Sequence, residues 1–411
     1  MTGTRVAVLG AGIQGCCAAI ALAADGCHVD LYDREAEPVM RASLWNEGKL
    51  HLGYVYANDA SRRTARAMIE GSLAFEGFFE RYLGVRFDDI ACSSEFVYGV
   101  HRDSMLPVER IEQHFAEVDD RLEAMFDTSS ADAIGGTPPS YFGERTTLPR
   151  SRRIPVGDAF DEAHVIAAFR TPERSIDTHA VARILREAVL GSSRITFHPF
   201  ADVTRLGRRA DDALVVTIGG DEHAVASQVV NCTWEGRPAL DATLGHAPET
   251  PTLHRYKLAV HVRGLDAPPV PSATLVLGPF GDIVDFGNGS LYLSWYPACK
   301  IGESKEATPP DFEATLTAEH ERDIANETLR ALAEIVPAAR SLSLDAGTVD
   351  VAGGYILAPG QTDIDRLRSR LHRRSESGIR SDRGYHSIDT GKYGLAPLHA
   401  EKLVERIRAH A

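Results

Sequence analysis

The stretch RVAVLGAGIQGCCAAIALAADGCHVDLYDRE, residues 5–35, limits what this chain can fold into more than any other. It reads as a buried strand, a glycine turn, a helix of small residues ending near Gly26, and a second strand closing on Asp33, which together make a βαβ unit. Gly10 permits the tight turn. Gly12 lets backbone, with Ile13 and Gln14 beside it, approach a pyrophosphate at the helix N-terminus, and Gly15 allows close helix-to-strand packing. Asp33, followed by Arg34, stands where a ribose hydroxyl is held. Its charge repels the 2′-phosphate of NADP, so FAD and NAD remain open.

At 411 residues the chain has room for roughly two to three domains, and its 44% hydrophobic content supplies large cores. Its 58 acidic against 44 basic residues give a net charge of −14, a field that disfavours nucleic acid and anionic lipid surfaces. The six cysteines, at 16, 17, 27, 92, 232 and 299, have neither CxxC nor metal-ligand spacing, so no metal site or disulfide framework is expected, and a reducing cytoplasm fits best. The apolar run from Val6 to Ala24 lacks a basic leader and is broken by glycines, unlike a signal peptide. No other run approaches the roughly 20 apolar residues of a membrane span.

Beyond the βαβ unit, four stretches carry a family resemblance. SIDTHAVARILREAV at 175–189 looks like a helix opened by an Asp turn, ITFHPFADVTRL at 195–206 like a single strand containing Val203, ASQVVNCTWEGR at 226–237 like a strand ending at Thr233, and GYHSIDTGKYGLAPLHAEKL at 384–403 like a closing loop and helix. With residues 6–35 they resemble the D-amino-acid oxidase superfamily of FAD-dependent oxidoreductases. The resemblance implies an α/β fold with a Rossmann-like FAD-binding domain assembled from 1–75, 165–237 and 346–411. It also implies a substrate domain from 76–164 and 238–345, built on a mainly antiparallel sheet. It further implies that backbone at Val203 meets adenine, that Thr233 returns to the cofactor, and that Gly391 and Lys392 lie near the flavin pyrimidine ring. Trp234 stands where the family usually has Gly, which puts close backbone approach there in question.

Short β-rich segments at 95–103, 255–264, 272–278 and 289–297 suit an antiparallel sheet, and 107–126 and 311–336 read as amphipathic helices. The Gly/Pro/Ser-rich stretch 129–140 reads as a surface loop or lid. The loop NEGKLHLGYVYA at 46–57 is similar to one in FAD-dependent 2-hydroxyglutarate dehydrogenases and in glycerol-3-phosphate dehydrogenase. That similarity implies that Asn46, Gly48 and Gly53 shape backbone around the flavin with His51 close to its ring, as base, hydrogen-bond donor or attachment point. Lys49 is either a cofactor contact or a surface charge. Tyr292, Trp295 and Tyr355, on strands, face either substrate or core. Arg255 is either a carboxylate anchor or a surface salt bridge. The arginine-dense stretch 365–384 is left between an anionic substrate entrance, a partner face and a solvated helix.

The expected function is therefore oxidation of a C–N bond in an amino acid or amine, with non-covalent FAD as hydride acceptor and oxygen or another acceptor reoxidising it. The substrate is expected to bear a carboxylate. Oxidation of a 2-hydroxy acid at C–OH is the alternative that the loop at 46–57 favours. A different class, an NAD-binding dehydrogenase or a flavin carrier without oxidase turnover, also stays open.

Overall fold

A computed structural model describes residues 3–127, 138–246 and 251–409. Most of the expected loop or lid at 129–140, namely 129–137, lies outside the described residues.

The first sheet grows from β1 (Arg5–Leu9), α1 (Ile13–Ala24) and β2 (His28–Tyr32). Residues 6–9 and 29–32 are buried on both faces: Val6 and Val8 pack with α1, while Ala7 and Leu9 pack with Leu206, Leu214 and Val216 of the strands Val203–Arg208 and Leu214–Ile218. Because α1 is built from Ala, Cys, Gly, Ile and Leu apart from Gln14, which donates to the Ala396 carbonyl, it buries every residue from Ile13 to Ala23 and packs against the helices Thr178–Gly191 and Ala396–Arg408. β1 lies between β2 and the strand Gln228–Asn231, parallel to both. Outward from these come Ile195–His198 on the β2 side, and Tyr385–Asp389 with the antiparallel edge strand Gly378–Asp382 on the other. The chain thus leaves β1 in both directions, which makes its carboxyl end a topological switch point.

Among the described residues the second sheet has nine strands and is antiparallel except where Ala273–Leu275 pairs with Val97–His101. Its spine is the pairing of Thr252–Arg263 with Thr348–Pro359, in register over all twelve residues. The helix Ala318–Ile335 covers it through Leu332 and Ile335. The helix expected over 311–336 starts only at Ala318, because the Thr317 side chain accepts from the His320 N–H and fixes the N-terminus there.

The two sheets are those expected, with shifted crossings. Thr348–Pro359 belongs to the antiparallel sheet, so the last return to the Rossmann-like sheet comes at Gly378 and not near 346. Val165–Arg170 likewise pairs with Val97–His101, placing the earlier crossing after 170. The stretch 195–206 is two strands and not one: it turns at Phe200, whose φ is 56°, and Val203–Arg208 joins a separate three-stranded antiparallel sheet.

On the helix Ala396–Arg408, Glu401 is 5% exposed and meets Arg81 at 2.8 Å. Burial raises its carboxyl from the ordinary 4.5 to about 7, against the opposing charge of Arg81. The folded state therefore holds a proton that the unfolded chain releases, and stability falls as pH rises between those two values. Glu401→Gln is expected to flatten the urea-midpoint profile across that window; an unchanged slope would show that Arg81 keeps the carboxylate ionised.

Candidate active site

A cleft of about 500 Å3 opens at the carboxyl ends of β1, β2 and Gln228–Asn231. Its first part is the glycine turn. Gly10 has φ 90°, and a Cβ there would come 2.7 Å from the Cys232 carbonyl oxygen. A Cβ on Gly15 would sit 1.7 Å from the carbonyl oxygen of Gly10, so α1 passes under β1 only because Gly15 has no side chain. Gly15 accordingly supports the turn from below, while Gly10, Gly12, Ile13 and Gln14 line the cleft. The α1 N-terminus carries no acidic residue in its first turn, and its Ile13 N–H donates to Ser43 Oγ at 3.0 Å.

Asp33 lines the same stretch, but its carboxylate is engaged: it accepts from the N–H groups of Ala11 and, at 2.8 Å, Glu35. It ties the second strand to the glycine turn as well as facing the cleft. Arg34 pairs with Glu235, and Val203 and Thr233 complete this wall. Trp234 takes φ 53°, the left-handed backbone in which glycine is usual, and its indole N–H donates to the Tyr355 carbonyl at 2.7 Å. The backbone path expected of Gly is therefore kept by a tryptophan. Tyr355 lines the cleft here, among Trp234, Tyr256 and Pro310, and not beside Tyr292.

The other part of the cleft is charged. Asn46, Glu47, Lys257, Tyr292, Gly391 and Lys392 line it. Asn46 holds the loop by donating to the carbonyls of Ala42 and Ser43 and accepting from the Gly48 N–H at 2.9 Å. The Glu47 carboxylate lies 3.7 Å from Lys392 Nζ, and Lys257 Nζ lies 3.3 Å from the Tyr292 hydroxyl. Burial would raise the Glu47 carboxyl, but Lys392, His51 and Lys257 outweigh it and hold the group well below its ordinary value. For Lys257, burial is outweighed by Tyr292, Glu47 and Asp282, and its pKa rises.

Besides Gly15, six residues expected at the site, His51, Lys49, Gly48, Gly53, Arg255 and Trp295, are absent from the cleft wall. His51 is 5% exposed and sits behind Glu47, with Nε2 at 3.6 Å from Glu47 and Nδ1 at 3.4 Å from the fully buried Glu173. Lys49 is neither a cleft contact nor a surface charge: it is 3% exposed, 2.9 Å from Asp282 and over the Phe96 ring. The two-residue strand Lys49–Leu50, paired with Arg174–Ser175, aims it inward. Gly48, at φ 61°, serves a chain crossing, since its Cβ would lie 1.9 Å from the Ile176 carbonyl oxygen. Arg255 is 2% exposed and bonded to Tyr296 and Asp363, so it is not a surface salt bridge either. Trp295 packs against the core beneath the second sheet. Sequence reading missed Glu47, Lys257 and Ser43. Glu47 lay inside the loop already singled out, and Lys257 was the one charge inside an otherwise apolar strand core, YKLAV.

Residues 5–372 match the family model for FAD-dependent oxidoreductases. The chain belongs to that family. Among solved structures, this family member is similar to iminodiacetate oxidase from Chelativorans sp. BNC1 (16% identity, 98% of this chain and 95% of that one, TM-score 0.66). It is similar also to glycine oxidase from Geobacillus kaustophilus (13%, 100% and 95%, TM-score 0.67). A third, L-α-glycerophosphate oxidase from Mycoplasma pneumoniae with FAD bound, gives 13%, 99% and 95% and a TM-score of 0.63. No curated protein matches the chain. These likenesses bear out the expected fold, and family membership makes the protein an FAD-dependent oxidoreductase in place of an NAD-binding dehydrogenase. Its residues fit the cofactor: the α1 N-terminus, with no acidic residue in its first turn, opens into a cleft that continues to Lys392.

Gly15→Ala is expected to force α1 away from the Gly10 carbonyl, at roughly 1–3 kcal/mol in stability. The purified variant should lack the visible flavin bands, and a variant that keeps full flavin content would show that the turn does not hold the cofactor.

Proposed function

We propose that this FAD-dependent oxidoreductase oxidises the C–N bond of an amino acid or related amine to an imine. The observation that carries the reading is the grouping of Glu47 with Lys257, Lys392 and Tyr292 in the cleft wall. A carboxylate beside two ammonium groups complements a zwitterion: Glu47 holds the substrate ammonium, and Lys257 and Lys392 hold its carboxylate. A 2-hydroxy acid would leave Glu47 facing a neutral hydroxyl. His51 and Glu173 act here as positioning residues that fix the Glu47 carboxylate from behind.

FAD, when bound, supplies the acceptor for the hydride equivalent, and oxygen or another acceptor takes the electrons onward. Gly10, Gly12, Ile13, Gln14, Ser43, Asp33, Val203 and Thr233 would hold the dinucleotide, with Asn46 and Gly391 farther along the cleft. Non-covalent attachment suits the wall: His51 lies behind it, and burial pushes the thiol of Cys232 up, away from the reactive thiolate.

Mixing the anaerobic yellow protein with D- and L-amino acids, N-methyl amines and 2-hydroxy acids tests the reading; bleaching by hydroxy acids alone would overturn it. Glu47→Gln is expected to lower kcat/KM for the amine by about 10-fold to 150-fold, the loss of one charge-assisted contact of about 1.5–3 kcal/mol. Because Glu47 stays ionised, the amine KM should hold steady as pH is lowered from about 7 to about 5.

A further inference from the structure

The arginine-dense stretch 365–384 is not a solvated helix. It contains a three-residue turn at Arg370–His372 and the edge strand Gly378–Asp382, and between them Arg374 turns inward and is 6% exposed. The Arg374 backbone N–H donates to Thr64 Oγ1 at 2.9 Å, and its Nη1 donates to the Leu357 carbonyl at 2.9 Å. Among the described residues its guanidinium makes no other hydrogen bond and no ion pair. The acid whose charge favours it, Asp389, is held by Arg237 at 3.1 Å.

Two further donors lie near it: Arg255 follows His254, the cross-strand partner of Leu357, and Tyr56 packs against Met68, one helical turn from Thr64. Arg255 shares Asp363 with Lys300 and with the Tyr296 hydroxyl, and its own Nε is buried without a partner. The Tyr56 hydroxyl is likewise buried without a partner among the described residues. Asp363 therefore serves two cations, Glu303 takes part of Lys300, and no described residue forms an ion pair with Arg374. Burial, then repulsion by Arg255, pushes Arg374 down to about 10, and the charge of Arg374 in turn acts on Lys392, which lines the cleft. Leu357, which accepts from Arg374, directly follows the cleft-lining Ile356. A buried guanidinium without a counter-charge is strongly unfavourable unless an anion arrives to pair with it, and its planar fork matches a carboxylate.

We propose that Arg374, with Arg255 and Tyr56, forms an anion subsite adjoining the cleft that takes a second carboxylate of the substrate, making the substrate an acidic amino acid. The choice of molecule rests on the amino-acid reading above; the subsite rests on the buried Arg374 guanidinium, which has no ion pair among the described residues, and on the Arg255 Nε and Tyr56 hydroxyl left without partners there. Arg374 and Arg255 come from segments 119 residues apart in the chain, and Tyr56 from the loop that carries Glu47.

The test uses the FAD-loaded protein and non-oxidisable probes. Isothermal titration of the wild type should show succinate binding at least 10-fold tighter than propionate, and Arg374→Met should remove that preference. The same variant without ligand should match or exceed the wild-type Tm, since a buried unpaired charge has been removed. Tyr56→Phe, which keeps the ring, should weaken succinate several-fold and leave propionate unchanged, so the proposal stays testable if Arg374→Met folds poorly. Equal binding of the two probes by wild type, or a preference that survives Arg374→Met, overturns the subsite; a lowered Tm with the preference intact marks Arg374 as structural and does the same. Arg374-dependent succinate binding in a protein bleached only by hydroxy acids keeps the subsite and overturns the amine reading.

Discussion

The absence of a side chain at Gly15 is the constraint on which the rest is built. A single added carbon would lie 1.7 Å from the Gly10 carbonyl oxygen, so the approach of α1 to β1 has no slack. That approach puts the helix N-terminus at the carboxyl edge of the sheet. It also leaves Gly10 in contact with the Cys232 backbone, which brings the end of Gln228–Asn231 beside the glycine turn. Three strand ends then share one cleft, and Asp33 locks them by accepting from the Ala11 N–H inside the turn.

Much of this was legible because glycine spacing and apolar runs report backbone geometry directly. The βαβ unit and the short strands of the second sheet follow from such local patterns; the strand at 228–231 was expected from the family resemblance, and 384–403, expected as a closing loop and helix, opens instead on the strand Tyr385–Asp389. The turning of 195–206 at Phe200 was not legible, since φ 56° at a phenylalanine, 74% exposed, breaks the propensity rules from which a strand is read. The loop at 46–57 was recognised, but its polar residues were ranked by type. Histidine attracted the catalytic role, whereas the fold turns His51 inward and leaves Glu47 on the wall. Which of two residues four apart faces a cleft depends on the pairing of Lys49–Leu50 with Arg174–Ser175, a contact with partners 124 to 126 positions away.

Charge is spent inside this protein to an extent that stability alone does not require. Lys49 with Asp282, His51 with Glu173 and Arg255 with Asp363 are all largely removed from water. Replacing such pairs by apolar residues is often neutral or stabilising. Their arrangement has a direction, however: Glu173 and Asp282 stand behind His51 and Lys49, which lie on the loop that presents Glu47. In the proposed reading this arrangement would hold the Glu47 carboxylate in place without motion when a ligand arrives, which is how a buried site gains electrostatic discrimination.

The register of the second sheet completes the site. Lys257 is paired with Gly354, and a Cβ at Gly354 would fall 2.7 Å from Ala42 Cβ, while one at Gly353 would fall 1.9 Å from the Lys257 carbonyl oxygen. Two consecutive glycines thus let the long strand pass between its own partner and the loop at 41–47. A side chain at either position would push the second sheet off the loop and carry Lys257 and Tyr292 away from Glu47. The charges proposed to face the substrate are therefore set by the same device as the glycine turn: glycine placed where two backbones must meet, once within the first sheet and once between the two.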